Sequence, residues 1–338
     1  MYIEENVPLA PFTTFQIGGP ARFFVRATSV EDLREALAYA KEKDIKTLIL
    51  GGGSNMLFDD EGFDGLVIKN EITGVEIEKT ADGAILIAEA GENWDHVVAR
   101  SVAEGLWGLE NLSGIPGTVG AAPVQNIGAY GRELKDAFLW AEVLDVGSGR
   151  VVRMDAGACQ FGYRMSLFKA TPGRYAVLRV ALRLLVHDTA HITYRDLAEA
   201  FQYDSVPSVV EVREAVLRIR ARKFPDLTKE GTAGSFFLNP IVSKEKAAEL
   251  RHAYPELPQF PALQGTKLSL AWLLDNVLNL RGFAVGSARL FEKQPLVIVA
   301  SRNATSQDVI TLMHSVMEKV QDIFSISLEE EVRIINKK

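Results

Sequence analysis

Two glycine-rich loops restrict this 338-residue chain more than any other feature. The first, Gly51-Gly52-Gly53-Ser54-Asn55, directly follows Thr47-Leu48-Ile49-Leu50, an apolar run that reads as a buried strand. Consecutive glycines let backbone N–H groups converge on an anion with no Cβ in the way, so the segment is either a phosphate cradle or a tight structural turn. Met56 stands where the third glycine of a Rossmann fingerprint would fall, the following residues do not open a helix, and no Gly-Lys-Ser/Thr follows. Neither a Rossmann nor a Walker A loop is therefore expected. The second loop runs from Gly114-Ile115-Pro116-Gly117-Thr118-Val119-Gly120 through Gln125-Asn126-Ile127-Gly128-Ala129-Tyr130-Gly131 and is mostly apolar and uncharged. It suits a backbone wrapped around a large flat ligand, or an Ω-like loop packed on itself. Two separated cradles on a β-rich scaffold fit a pyrophosphate-bridged dinucleotide better than a mononucleotide.

Around these loops the spacing predicts an α+β chain long enough for two or three domains. Ser29-Val30-Glu31-Asp32 opens a helix over 29–44 with a capping-box pattern, and further helices are expected near 93–104, 208–223, 243–252, 268–278 and 305–323. Strands are expected at 65–69, 75–79, 84–88, 175–185 and 295–300, with a hairpin of 140–146 and 151–154 turning at Gly147-Ser148-Gly149. Proline cannot continue the helix past Phe224-Pro225-Asp226, and a domain boundary is placed there. Pro255, Pro258 and Pro261 mark 254–266 as an irregular connection.

Charge and composition exclude several classes. With 37 Lys+Arg against 44 Asp+Glu the net charge is −7, which argues against a duplex-coating surface, so no nucleic-acid partner is expected. No run of about 18 uncharged apolar residues is present, so no membrane-spanning helix is expected, and Met1-Tyr2-Ile3-Glu4-Glu5-Asn6 lacks the basic and apolar regions of a secretory signal. Cys159 is the only cysteine; it forms no intrachain disulfide and points to a reducing compartment, the cytosol.

Three side chains stand out as candidates for chemistry. Arg164, within Phe161-Gly162-Tyr163-Arg164, needs an anion if buried, and its planar fork suits a carboxylate or phosphate; it could equally be stacked on Tyr163 and paired with a structural acid. Ser235 follows Gly234 and precedes Phe236-Phe237, which would set its hydroxyl at a turn against an apolar wall. Glu331 closes the acidic run Glu329-Glu330-Glu331 before Val332-Arg333-Ile334-Ile335; packed there its pKa would rise and it could act as an acid, whereas a solvated carboxylate would do nothing. The five histidines are scattered, and His187 and His191 lie in a loop context, so neither a Ser-His-Asp set nor a metal site is expected.

Taken in order, Thr14-Phe15-Gln16-Ile17-Gly18-Gly19-Pro20-Ala21, the two glycine loops, Phe161-Gly162-Tyr163-Arg164, Gly234-Ser235-Phe236-Phe237 and Glu331-Val332-Arg333 resemble the UDP-N-acetylenolpyruvoylglucosamine reductase (MurB) family across nearly the whole chain. The resemblance implies a PCMH-type (vanillyl-alcohol-oxidase-like) FAD-binding α+β fold in two subdomains, 1–70 with 325–338 and 71–223, plus a separate α+β substrate-binding domain, 224–324. It implies noncovalent FAD with Gly51, Gly53, Ser54 and Asn55 at the pyrophosphate and Gly114, Ile115, Gly128 and Tyr130 further along the cofactor. Tyr194 resembles the tyrosine of the subtype whose loop closes over the UDP-sugar, and Lys223, Asn239 and Gln294 match substrate-contacting positions. Three departures are visible. Glu330 stands where the family has proline, Arg195 replaces a glycine, and Ala121-Ala122 replace serines of some members.

The implied activity is reduction of the enolpyruvyl ether of UDP-N-acetylglucosamine to UDP-N-acetylmuramate, with NADPH as co-substrate, in peptidoglycan precursor synthesis. Hydride would add to the vinyl terminus while negative charge flows into the carboxylate. Arg164 and a protonated Glu331 would stabilise that charge, and Ser235 would protonate the adjacent carbon. A flavin oxidase of the same fold and a noncatalytic UDP-sugar-binding protein are the alternatives.

Overall fold

The computed structural model describes residues 1–201 and 206–337. The chain divides into two compact units, the first comprising Met1–Val7, Ala21–Gly53 and Asp64–Ala221, the second Pro8–Pro20, Ser54–Phe63 and Arg222–Lys338.

The first unit is organised by a five-stranded antiparallel sheet in the order Arg150–Asp155, Phe138–Asp145, Tyr175–Leu185, Gly83–Glu89, Val75–Lys79. The central strand is buried along most of its length and serves two cores. Ala176 and Leu178 face a cluster built with the helix Val30–Glu42 and the strands Pro20–Ala27 and Phe63–Asn70, whereas Val180, Leu182 and Leu184 face a second cluster with Trp94, Val97 and Leu112. Strict alternation would keep these five even-numbered residues on one face. A register shift, Glu142 pairing Arg179 but Val143 pairing Val177, inserts one residue and turns the later positions to the other core. In the smaller sheet Thr47–Leu50 pairs in parallel with Phe63–Asn70, and the first glycine loop leaves its end. The Ser29 capping box holds, with the Ser29 hydroxyl accepting from Asp32 N–H and the Asp32 carboxylate accepting from Ser29 N–H.

The second unit packs the helix Ser306–Phe324 onto the antiparallel strands Ala284–Val285, Ala288–Phe291 and Gln294–Ala300, and pairs Arg333–Ile335 in parallel with Met56–Phe58. Two expectations are corrected here. The 254–266 stretch contains the strands Gln259–Ala262 and Gly265–Leu268, paired antiparallel; Pro261 is tolerated because its strand is at the edge of its sheet, where a missing N–H breaks no ladder. The helix expected over 268–278 is present but differs in winding: Leu270–Trp272 is α-helical and Leu273–Val277 continues as a π-helix.

Candidate functional site

In the first unit the two glycine loops meet backbone to backbone. A Cβ on Gly52 would lie 2.6 Å from Gly117 Cα, one on Gly51 2.5 Å from Thr118 Oγ1, and one on Gly120 2.5 Å from Ala90 Cβ. Side chains are excluded by contact rather than by taste for turns. Lys69 Nζ donates to the Gly51 carbonyl at 2.5 Å, and burial pulls the ammonium below its ordinary pKa. The second loop is tied down by Trp94 N–H to Gly117 C=O and Gly120 N–H to Ala90 C=O. Thr118 Oγ1 is buried in this cradle without a hydrogen-bond partner, and Ala121 Cβ sits 3.2 Å from the absent Cβ of Gly51. A glycine-lined backbone surface carrying an orphaned hydroxyl fits the pyrophosphate of FAD, which accepts hydrogen bonds and needs close backbone approach. Thr118 lies inside the glycine-rich motif, but nothing in its spacing marked its hydroxyl as unsatisfied.

Gly114, with φ +69°, is held differently. Its N–H donates to Asp95 Oδ1 at 2.6 Å and its carbonyl accepts from Arg220 Nε at 3.0 Å, so its polar groups are engaged by the protein and its contribution to a ligand surface is shape. Asp95 is in turn gripped by both terminal nitrogens of Arg213 at 2.7 and 2.9 Å. Burial opposes the Asp95 charge, but the Arg213 guanidinium and Gly114 N–H outweigh it and hold the carboxyl below its ordinary pKa. Burial also pulls the Arg220 guanidinium down, against the raising influence of Asp95. Ile115, beside Gly114, is partly buried against the large-sheet core.

Further along, Gly128 meets Arg164. Arg164 Nη2 donates to the Gly128 carbonyl at 2.8 Å, a Cβ on Gly128 would stand 2.9 Å from Arg164 Nη1, and the guanidinium lies 5.5 Å from the Tyr163 ring centre. The stacking on Tyr163 that the sequence left open as an alternative is present, and so is a link to the second glycine loop. Tyr130, buried and in the left-handed region at φ +49°, packs edge-on against Tyr194 with ring centres 5.5 Å apart; burial pushes its phenol up to about 12. Buried Asn111 donates to the carbonyls of Tyr130 and His191, a connection the sequence did not disclose.

The second unit gathers Ser54, Asn55, Lys223, Ser235, Asn239, Gln294 and Glu331. The segment carrying Ser235 lies between two others. Ser235 bridges Val297 and Phe236 N–H donates to Leu296 C=O on one side; on the other, Phe237 bridges Glu330 and Glu331 N–H donates to Phe236 C=O at 2.8 Å. Asn55 Nδ2 donates to the Glu331 carbonyl at 3.0 Å, and Arg333 N–H to the Asn55 carbonyl at 3.0 Å. Ser235 and Glu331, distant in sequence, are thus on neighbouring backbone segments, with Phe236 and Phe237 buried beside them. Gln294 opens the strand Gln294–Ala300 that carries Val297, and Asn239 Oδ1 accepts from Leu270 N–H at 3.0 Å. Lys223 is the last residue of the helix Val209–Lys223 and is half-buried. Among the described residues there is no cluster of three or more His, Cys, Asp or Glu that could hold a metal, and no helix long and apolar enough to cross a membrane.

Comparison with known proteins agrees with this reading of the cradle. The FAD binding domain family matches residues 21–155, and the C-terminal domain of UDP-N-acetylenolpyruvoylglucosamine reductase matches residues 226–335. A UDP-N-acetylenolpyruvoylglucosamine reductase of Pseudomonas aeruginosa is 41% identical over 333 residues, 97% of this chain and 98% of that protein. One of Escherichia coli K12 is 41% identical over 332 residues, 98% of this chain and 96% of that protein. The crystal structure of the Thermus caldophilus reductase superposes with a TM-score of 0.69 at 26% identity, covering 99% of this chain and 100% of that one. The fold and the cradle define an FAD-dependent oxidoreductase of the α+β FAD-binding class expected from the resemblance. The chain belongs to the UDP-N-acetylenolpyruvoylglucosamine reductase family.

Proposed function

We infer that this chain reduces UDP-N-acetylglucosamine enolpyruvate to UDP-N-acetylmuramate at the expense of NADPH, in the formation of the peptidoglycan precursor. Membership of the family over 97% of the chain supports the reading. The structural observation that carries it is the pair of glycine loops pressed together around the orphaned Thr118 hydroxyl. Noncovalent FAD, when bound, would supply the hydride-transfer chemistry that links NADPH to the enol ether. Gly51, Gly53, Ser54 and Asn55 would hold its pyrophosphate, with Gly114, Ile115, Gly128 and Tyr130 shaping the remainder of its bed and Thr118 adding a donor.

The chain's own residues manage charge and protons. Arg164 presents a planar fork to the substrate carboxylate as it gains negative charge, and protonated Glu331 shares that charge through a hydrogen bond; both interactions strengthen toward the transition state. Ser235 delivers its hydroxyl proton to the carbon beside the carboxylate. Tyr194, Lys223, Asn239 and Gln294 bind the UDP-sugar. By function the chain divides into 1–70 with 325–338, 71–223 and 224–324, a division that cuts across the two compact units, and the enzyme acts in the cytoplasm without nucleic-acid or membrane partners. Ser235→Ala tests the assignment in a stopped-flow instrument. The flavin colour should bleach normally with NADPH, and its return on adding the enol ether should slow by roughly a hundred- to thousandfold, the cost of one preorganised donor. Normal recovery of colour would remove Ser235 from the chemistry.

A further inference from the structure

Lys69 stands half-buried on the strand Phe63–Asn70, with its Nζ donating to the Gly51 carbonyl at 2.5 Å. Among the described residues it forms no ion pair. Glu71, the acid whose charge acts on it, is engaged by Arg26 Nη1 at 2.7 Å, and the Arg26 charge opposes that of Lys69. An ammonium drawn out of water without a counter-ion is held at a cost, which is why burial pulls its pKa down. An arriving anion relieves that cost, and does so strongly because little water screens the pair. The carbonyl that Lys69 holds fixes more than one atom. The Gly51–Gly52 peptide is trans and planar, so its C=O and N–H point in opposite directions, and a carbonyl turned toward Lys69 turns the Gly52 N–H away from it. Among the described residues neither Gly52 N–H nor Gly53 N–H donates to another backbone group, and the Thr118 hydroxyl beside Gly51 has no partner. Two amides, a hydroxyl and an unneutralised ammonium thus meet at one loop with no acceptor of matching charge, the complement of a pyrophosphate. We propose that Lys69 is a positioning residue for FAD, holding the Gly51–Gly52 peptide for the pyrophosphate and placing one positive charge behind the loop, a role that rests on reading the cradle as the pyrophosphate seat.

Titration of the FAD-stripped, full-length chain, followed by flavin fluorescence, tests this role. Lys69→Met removes both donor and charge and should raise Kd for FAD about tenfold or more, the factor for one charge-assisted hydrogen bond. Lys69→Gln keeps a donor for the Gly51 carbonyl but no charge, and should lose nearly as much. Riboflavin, which carries the flavin ring without phosphate, should bind wild type and both variants alike. Unchanged FAD affinity in Lys69→Met overturns the proposal. So does wild-type affinity in Lys69→Gln, which would reduce Lys69 to a neutral prop for the loop, and so does equal weakening of FAD and riboflavin, which would make its role general to the fold. Gly52→Ala, titrated in parallel, presses on the same loop and leaves Lys69 in place. Weakened FAD in Gly52→Ala beside wild-type affinity in the Lys69 variants condemns Lys69 alone, whereas undiminished affinity in all three variants condemns the cradle as the pyrophosphate seat.

Discussion

The glycine-loop region of the first unit and the Ser235–Glu331 region of the second are held by different kinds of bond. Gly114, Gly128 and Tyr130 are fixed by side chains reaching in from elsewhere, namely Asp95, Arg220, Arg164 and Asn111. Ser235 and Glu331 are fixed by main-chain ladders, through Phe236 to Leu296 on one side and to Glu331 on the other. The second glycine loop keeps some backbone bonds, Trp94 N–H to Gly117 C=O, Gly120 N–H to Ala90 C=O and the short pairing of Gly128–Ala129 with Arg132–Glu133, but it relies on side chains from elsewhere for groups that a continuous ladder would pair. A ladder is nearly indifferent to which side chains it carries. Outside the groups that touch substrate, substitutions should therefore cost much in stability and cofactor retention in the first region and little in the second.

Gly52→Ala strikes the first region hardest. Its methyl would meet backbone atoms of Gly117 that cannot rotate away, a strain of about 1–3 kcal/mol that falls on the cradle itself. FAD retained after desalting, read as flavin absorbance per polypeptide, should drop at least tenfold; full retention would mean the loops part without loss.

Asp95→Asn removes the charge that pairs with Arg213 and weakens the bond to Gly114 N–H, a loss of about 2 kcal/mol for hydrogen bonds to an ionised group in a partly buried setting. The pH dependence gives the sign. The folded pKa of Asp95 lies below its ordinary 3.8, so its contribution is complete above that value and is lost as pH falls through the lower folded pKa. Melting curves should show wild type and variant separated at pH 7 and converging below about pH 4; a constant gap would deny the ion pair its role.

How far these arrangements were legible from residues alone follows the same divide. The strand Tyr175–Leu185 and the helices at Val30 and Ser306 announced themselves, since their periodicity and capping residues are local. The glycine loops stood out in the sequence, but the residues alone left a phosphate cradle and a tight structural turn both open. Asn111, Asp95 and the Thr118 hydroxyl were not legible, because their importance lies in partners 19 or more residues away or, for Thr118, in having none. Pro261 misled for the opposite reason. A local rule against proline in strands was correct, but being at a sheet edge is a property of the tertiary fold.

Thr118→Val separates cofactor from scaffold more gently. The hydroxyl is already unsatisfied in the protein alone, so an isosteric methyl should leave the FAD-free chain equally stable or more stable by up to about 1 kcal/mol while weakening FAD several-fold. Parallel melting and FAD titration decide it, and loss of stability without FAD would show that the hydroxyl has a partner in the free protein.

The smallest effect is expected at Glu330→Pro, where the resemblance drawn from the sequence expects a proline. The ladder around the Phe237–Glu330 bridge is made by Glu331 N–H to Phe236 C=O and Leu238 N–H to Glu329 C=O, so it makes no use of the Glu330 N–H that proline would delete. The rigidity a proline would bring to Glu331 is supplied by that ladder and by Asn55 Nδ2 on the Glu331 carbonyl. Stability and turnover should therefore stay within about 0.5 kcal/mol and twofold of wild type, as for a substitution that breaks no special feature. A gain of several-fold in turnover would mean that Glu331 is loosely held in spite of its hydrogen bonds, and that the second region is not the self-sufficient ladder contrasted above with the first.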